Sequence, residues 1–192
     1  MRGGMLNTSG LLQRWRDCRS GIAAIEFALV GPLMIALFFG VVESADALAR
    51  SRQVTLAVNT LVDLASQETN LLISDADDLF GGIEQIIDDD GAPMDIRLVS
   101  VTVDEDGDPV VHWSRDNAGA QPYVKGAAYE GLPVSTLIDP GASILVGEIT
   151  YQYSSRLSRI VIPPISFRDQ ATRWPRKSIK VQLCSPAQNC TS

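Results

Sequence analysis

A single carboxylate, Glu26, stands inside an apolar run from Ile22 to Val42. A charge in such a run is costly and marks a functional position by default. In low dielectric a carboxylate facing an ammonium is far better placed than either ion alone, so the chemistry Glu26 offers is ion pairing. The other reactive groups are few. Cys184 and Cys190 enclose Ser-Pro-Ala-Gln-Asn near the C-terminus, and in an oxidising compartment this spacing suits a small disulfide loop. Zinc is the rival reading for the pair, but it needs two further ligands and the chain has one histidine, His112. His112 lies beside Trp113, with no Ser or Cys nucleophile close in sequence, which favours a structural or exposed role. Asp104-Glu105-Asp106-Gly107-Asp108 invites a calcium reading. An EF-hand loop needs Gly at its sixth position and Glu at its twelfth; counted from Asp104, Gly107 is fourth and Arg115 twelfth, so the segment reads as a solvated hairpin tip. Asp88-Asp89-Asp90-Gly91 reads in the same way. There is no Gly-rich phosphate loop, zinc-site spacing or nucleophile elbow. The expectation is therefore no enzyme activity, no cofactor and no metal.

The element that must position Glu26 is a helix of membrane length. Phe27 to Val42 alone gives about 24 Å, short of a hydrocarbon core of about 30 Å. Starting at Ile22 extends it to roughly 31 Å. The span is then comfortable only with Glu26 in its first turn or two, near the interface, where a carboxylate costs less than at mid-bilayer. Pro32 would kink a soluble helix but is tolerated in a membrane. Before the run stands a basic leader with Arg14, Arg16 and Arg19, and Trp15 as an interfacial anchor; such a leader keeps its side of the membrane cytoplasmic. A cleaved secretory signal is an alternative, because Ala45-Asp46-Ala47 and Ala47-Leu48-Ala49 are A-x-A patterns. The helical pattern, however, continues through both. Ala47, Val54, Val58, Leu61 and Ala65 share one face, with Arg52, Asn59, Asp63 and Ser66 opposite and Leu56 as an exception. One helix from about Ile22 to about Gln67 accounts for both parts.

Gly21-Ile22-Ala23-Ala24-Ile25-Glu26-Phe27 has the form Gly, four small or apolar residues, Glu, aromatic. Behind its basic leader it resembles the prepilin peptidase site of type IV pilin-like proteins. The fuller string from Arg19 to Leu33, followed by Ala47-Leu48-Ala49-Arg50-Ser51-Arg52-Gln53 and, late in the chain, Arg173-Trp174-Pro175-Arg176, is similar to the TadE-like family, minor pseudopilins of the tight-adherence (Flp) pilus machinery of bacteria. TadG-like proteins share a similar N-terminal region. The resemblance implies cleavage between Gly21 and Ile22 by a prepilin peptidase. It also implies a role for Glu26, with Phe27 beside it, in neutralising the terminal amine of a neighbouring subunit. Ala23, Ala24 and Ala28 are small residues of the kind that let membrane helices pack closely.

Charge is distributed unevenly along the 192 residues. Residues 1–20 hold four Arg and one Asp, whereas residues 43–192 hold twelve basic and twenty-one acidic side chains. An acidic exported part argues against nucleic acid, which requires clustered Lys and Arg. The expected division is a leader (1–21), a transmembrane helix (22–42), a periplasmic extension of that helix (43–70) and a periplasmic α+β domain (71–192).

Within the exported part, Ser74-Asp75-Ala76-Asp77 reads as an N-cap and acidic first turn. Leu79, Ile83, Ile86 and Ile87 then give a short amphipathic helix weakened by Gly81-Gly82. Strands are expected at Met94–Val103, Val110–Arg115, Ile144–Tyr153, Phe167–Trp174 and Ser178–Leu183, with a hairpin turn at Asp106-Gly107. Asn117–Pro140 reads as loop with a short helix, and Ile162-Pro163-Pro164-Ile165 as a connector. In the third strand Leu145, Ile149, Tyr151 and Tyr153 share a face and Glu148 takes the other. Trp113, Trp174, Tyr151 and Tyr153 read as core or contact aromatics. The fold class is α+β, a long helix followed by about five mostly antiparallel strands, which is also the plan of pilin-like subunits. The leading function is a membrane-anchored minor pseudopilin, whose partners are the inner membrane, the prepilin peptidase and other pilins or pseudopilins. The alternative is an uncleaved single-pass envelope protein with a periplasmic protein-binding module.

Overall fold

The computed structural model describes residues 20–87, 91–132, 139, 141–155, 163–185 and 189–191. The leader residues Arg14, Trp15, Arg16, Cys18 and Arg19, the Asp88–Asp90 run and Ile162 lie outside these. The fold is α+β, a long apolar helix and an antiparallel sheet. Helix α1 spans Ser20–Ala65, with Pro32 inside it. The chain divides at Ala45/Asp46 into two compact units, so the residues of α1 on either side of that point are described separately.

In the second unit, α1 from Asp46 is followed by β1 (Asn70–Leu72), α2 (Ile73–Ile87), β2 (Met94–Val103), β3 (Pro109–Asp116), β4 (Ser143–Tyr153), β5 (Ile165–Arg173) and β6 (Gln182–Cys184). The four longer strands form an antiparallel sheet of order β3-β2-β4-β5, while β1 and β6 pair in parallel. Alternation sorts the side chains of the sheet. Ile96, Leu98, Leu145, Ile149, Tyr151 and Tyr153 pack with Val54, Ala57, Val58, Leu61, Val62 and Ala65 of α1 and with Ala76, Phe80, Ile83 and Ile87 of α2. The far face carries a smaller core of Val99, Val101, Val111, Val146 and Tyr129.

At Gly147 the helix lies close against the sheet. A Cβ placed there would lie 2.6 Å from Cγ1 of Val62 and 3.3 Å from Cγ2 of Val58. Gly147→Ala is therefore expected to cost about 1–3 kcal/mol through overpacking. Chemical denaturation of the full chain in detergent should show a lower midpoint; an unchanged midpoint would contradict this contact.

The structure departs from the sequence reading in several places. Helix α2 begins at Ile73, so Ser74 lies within its first turn instead of capping it. Its hydroxyl donates to the Asp75 carboxylate. Gly81-Gly82 does not break α2, because the buried side of Phe80, Ile83 and Ile87 holds it against the core; Ile86 is exposed. Ser66, expected on the outward face, is buried, its hydroxyl donating to the Asp63 carbonyl as α1 ends. The last strand is only Gln182–Cys184, and its parallel partner β1 carries no sequence signal at three residues. Trp174 is exposed, whereas Trp113 is buried and donates its indole N–H to the Val181 carbonyl at 2.8 Å. No helix appears among the described residues of 117–140.

Candidate functional site

The residues singled out for membrane and assembly chemistry fall in the first part of α1. Gly21, Ile22, Glu26 and Phe27 are helical and exposed. Glu26 stands four residues after Ile22, so the two are neighbours on one helix face. Phe27 is 77 % exposed, and Leu29, Val30, Leu33, Met34, Phe38 and Val41 are exposed too. Gly21–Ala65 contains a window with mean hydropathy 2.3, long and apolar enough to cross a membrane, none of which is buried within the chain. A buried core helix of a soluble protein would have been covered by its own fold. An exposed apolar surface of this extent instead marks an interaction with lipid or protein. Residues 21–62 match the family model of TadE-like protein. The TadE-like segment thus starts at Gly21, includes Glu26 and Pro32, and runs into the part of α1 that packs on the sheet. Over that stretch the chain is similar to TadE-like protein, and the apolar helix suggests a membrane anchor. No curated protein and no solved structure matches the chain.

The C-terminal cysteines are joined by a disulfide between Cys184 and Cys190. Cys184 ends β6, so the bridge closes a loop on the strand that pairs with β1. The Leu183 amide donates to the Thr191 hydroxyl and the Thr191 amide to the Leu183 carbonyl. Together these bonds hold a terminus that would otherwise fray.

The Asp104 turn is built for itself. The Asp104 carboxylate accepts the amides of Asp106 and Asp108 at 3.1 and 2.8 Å, and Gly107 adopts φ 87°. No group of acidic, His or Cys side chains able to hold a metal occurs among the described residues.

His112 is the extra residue of a β-bulge. Ser100 pairs with Trp113 and Val101 with Val111, which leaves His112 between them. It is 6 % exposed, its Nδ1 is 3.4 Å from the Ser100 hydroxyl, and among the described residues its Nε2 has no partner at hydrogen-bond geometry. Burial, followed by the nearby Lys180 and Lys125 cations, lowers its pKa to about 4, against a small raising effect of the Thr191 carbonyl.

A polar network on the far face of the sheet was not visible in the sequence. Register places Arg97, Glu148 and Gln170 in one cross-strand row and Asp95, Thr150 and Arg168 in the next. Glu148 accepts the hydroxyls of Tyr123 and Tyr129, and Arg97 Nη1 lies 4.0 Å from it. Burial and the Glu148 carboxylate raise the pKa of both tyrosines. A groove of about 510 Å³ lies over these rows. Glu148 is signalled by alternation alone; its tyrosine partners come from a loop without periodicity.

Proposed function

We propose that this chain is a minor pseudopilin, or pilus assembly protein, of a tight-adherence (Flp) system. A prepilin peptidase cuts it between Gly21 and Ile22, and it assembles through the helix that follows. The observation that carries the reading is the TadE-like match over 21–62, which includes an apolar helical window that the fold leaves uncovered. In this reading residues 1–21 are a cytoplasmic leader, 22–42 span the inner membrane, 43–70 extend the helix, and 71–192 form a periplasmic domain. Glu26, one turn beyond the new terminus, receives the ammonium of a neighbouring subunit's Ile22. A carboxylate and an ammonium shed water at least cost when they do so together. The partners are the peptidase and other pilins or pseudopilins. An oxidising compartment suits the disulfide, and the net acidic balance of residues 43–192 argues against a nucleic-acid partner.

Mass spectrometry of the N-terminus from native membranes tests this. In cells containing the cognate peptidase, the expected mature chain begins at Ile22. An intact Met1 leader would favour the uncleaved envelope protein with a binding module.

A further inference from the structure

Charge is segregated within the Asp46–Ser192 unit. Between Arg52 and Arg97 the chain has no Lys, Arg or His but ten acidic residues, whereas residues 168–180 hold five cations and only Asp169 as an acid. Some of these charges are spent inside the fold: Asp63 pairs with Arg176, and Asp77 with Arg115. Among the described residues, Glu68, Asp75 and Asp78 form no ion pair, nor does Lys177.

The three spare carboxylates rim a groove of about 370 Å³ whose apolar lining is Leu64, Leu71 and Leu79. Leu64 is 42 % exposed. The cationic segment carries its own apolar surface, with Trp174 exposed by 43 % and Ile179 by 71 %. It adjoins the end of α1, where the Arg176 amide donates to the Ser66 carbonyl at 2.9 Å. We propose that the groove docks the Trp174–Ile179 segment of a second copy of this chain, with Lys177 meeting the acidic rim and an apolar side chain covering the leucines. The argument for a second copy is complementarity. One chain carries both an acid-rimmed apolar groove and a cationic strip with an exposed aromatic, and opposite potentials with an apolar centre are what a specific interface needs. This contact depends on the charge map of the folded unit and not on leader processing, so it can fail while the proposed function stands, and the reverse.

Carbodiimide crosslinking of full-length chains in detergent micelles tests it, with heavy-isotope-labelled and unlabelled copies mixed. The reagent joins a lysine amine to a carboxylate in contact. Heavy–light crosslinked peptides linking Lys177 to Glu68, Asp75 or Asp78 are expected. Lys177→Gln should reduce heavy–light dimer by about tenfold. The doubly substituted chain, Asp78→Lys with Lys177→Glu, should crosslink positions 78 and 177 again in the exchanged sense. Absence of heavy–light products, linkages confined to one chain, or dimer indifferent to Lys177→Gln would each overturn the proposal.

Discussion

Glu26→Ala chains are expected to insert in the membrane and fold, yet leave assembly almost abolished. The alanine removes the only charge between Ile22 and Val42, so insertion becomes easier. Glu26 is not among the residues that build the Asp46–Ser192 core. On the proposed pairing, what is lost is the partner for a neighbouring subunit's terminal ammonium. An unpaired buried charge is strongly destabilising, by about 3–5 kcal/mol where one partner of an ion pair is removed, enough to suppress assembly by more than about a hundredfold. Glu26→Gln separates pairing from packing, since it keeps the shape and discards the charge; it should be nearly as defective as Glu26→Ala. The readout is the amount of pilus subunit sheared from cells, compared with the amount of this chain retained in membranes. Wild-type yields in both variants would refute the pairing role.

The second large effect is on stability in acid. His112 is buried in a bulge, and desolvation, with Lys180 and Lys125 nearby, holds its folded pKa at about 4, below the ordinary 6.5. Among the described residues, the groups that act on it are the Ser100 hydroxyl, the two lysines and the Thr191 backbone. Because the folded value is depressed, the unfolded chain binds the proton first. The stability associated with neutral His112 is complete above pH 6.5 and is lost as pH falls from there toward 4. The shift corresponds to roughly 3 kcal/mol. Carboxylates also titrate in this range, so the measurement is a difference. Denaturation of wild-type chain and His112→Gln, both in detergent, should give a stability gap that moves by roughly 3 kcal/mol in favour of the variant between pH 7.5 and 4. A gap constant with pH would mean that His112 is solvated or already charged.

Much of the fold was legible because periodicity carries it. The face of Val54, Val58, Leu61 and Ala65 is the one that packs on the sheet, and Met94–Val103 is the observed β2 to the residue. The alternation of Leu145, Ile149, Tyr151 and Tyr153 against Glu148 holds in β4. What could not be read was what three-residue strands and loops decide. Strand β1 pairs in parallel with β6 across more than a hundred residues of sequence, and such a pairing leaves no local trace. The Tyr123–Glu148–Tyr129 network depends on a loop folding over the far face. Ser66 is buried because α1 ends there, which a uniform helical wheel does not foresee. At the N-terminal site the order was reversed: Gly21, Ile22, Glu26 and Phe27 were recognisable as a pattern, and the structure adds that they are helical and exposed.

The central claim is that the rod from Ile22 to Val42 lies in the bilayer with the sheet domain on the outer side of the inner membrane. Protease treatment of intact spheroplasts tests it directly. The sheet domain should be digested while a small membrane-held fragment containing Phe27–Val42 survives. A chain released whole into the soluble fraction, or one fully protected until the membrane is dissolved, would contradict it.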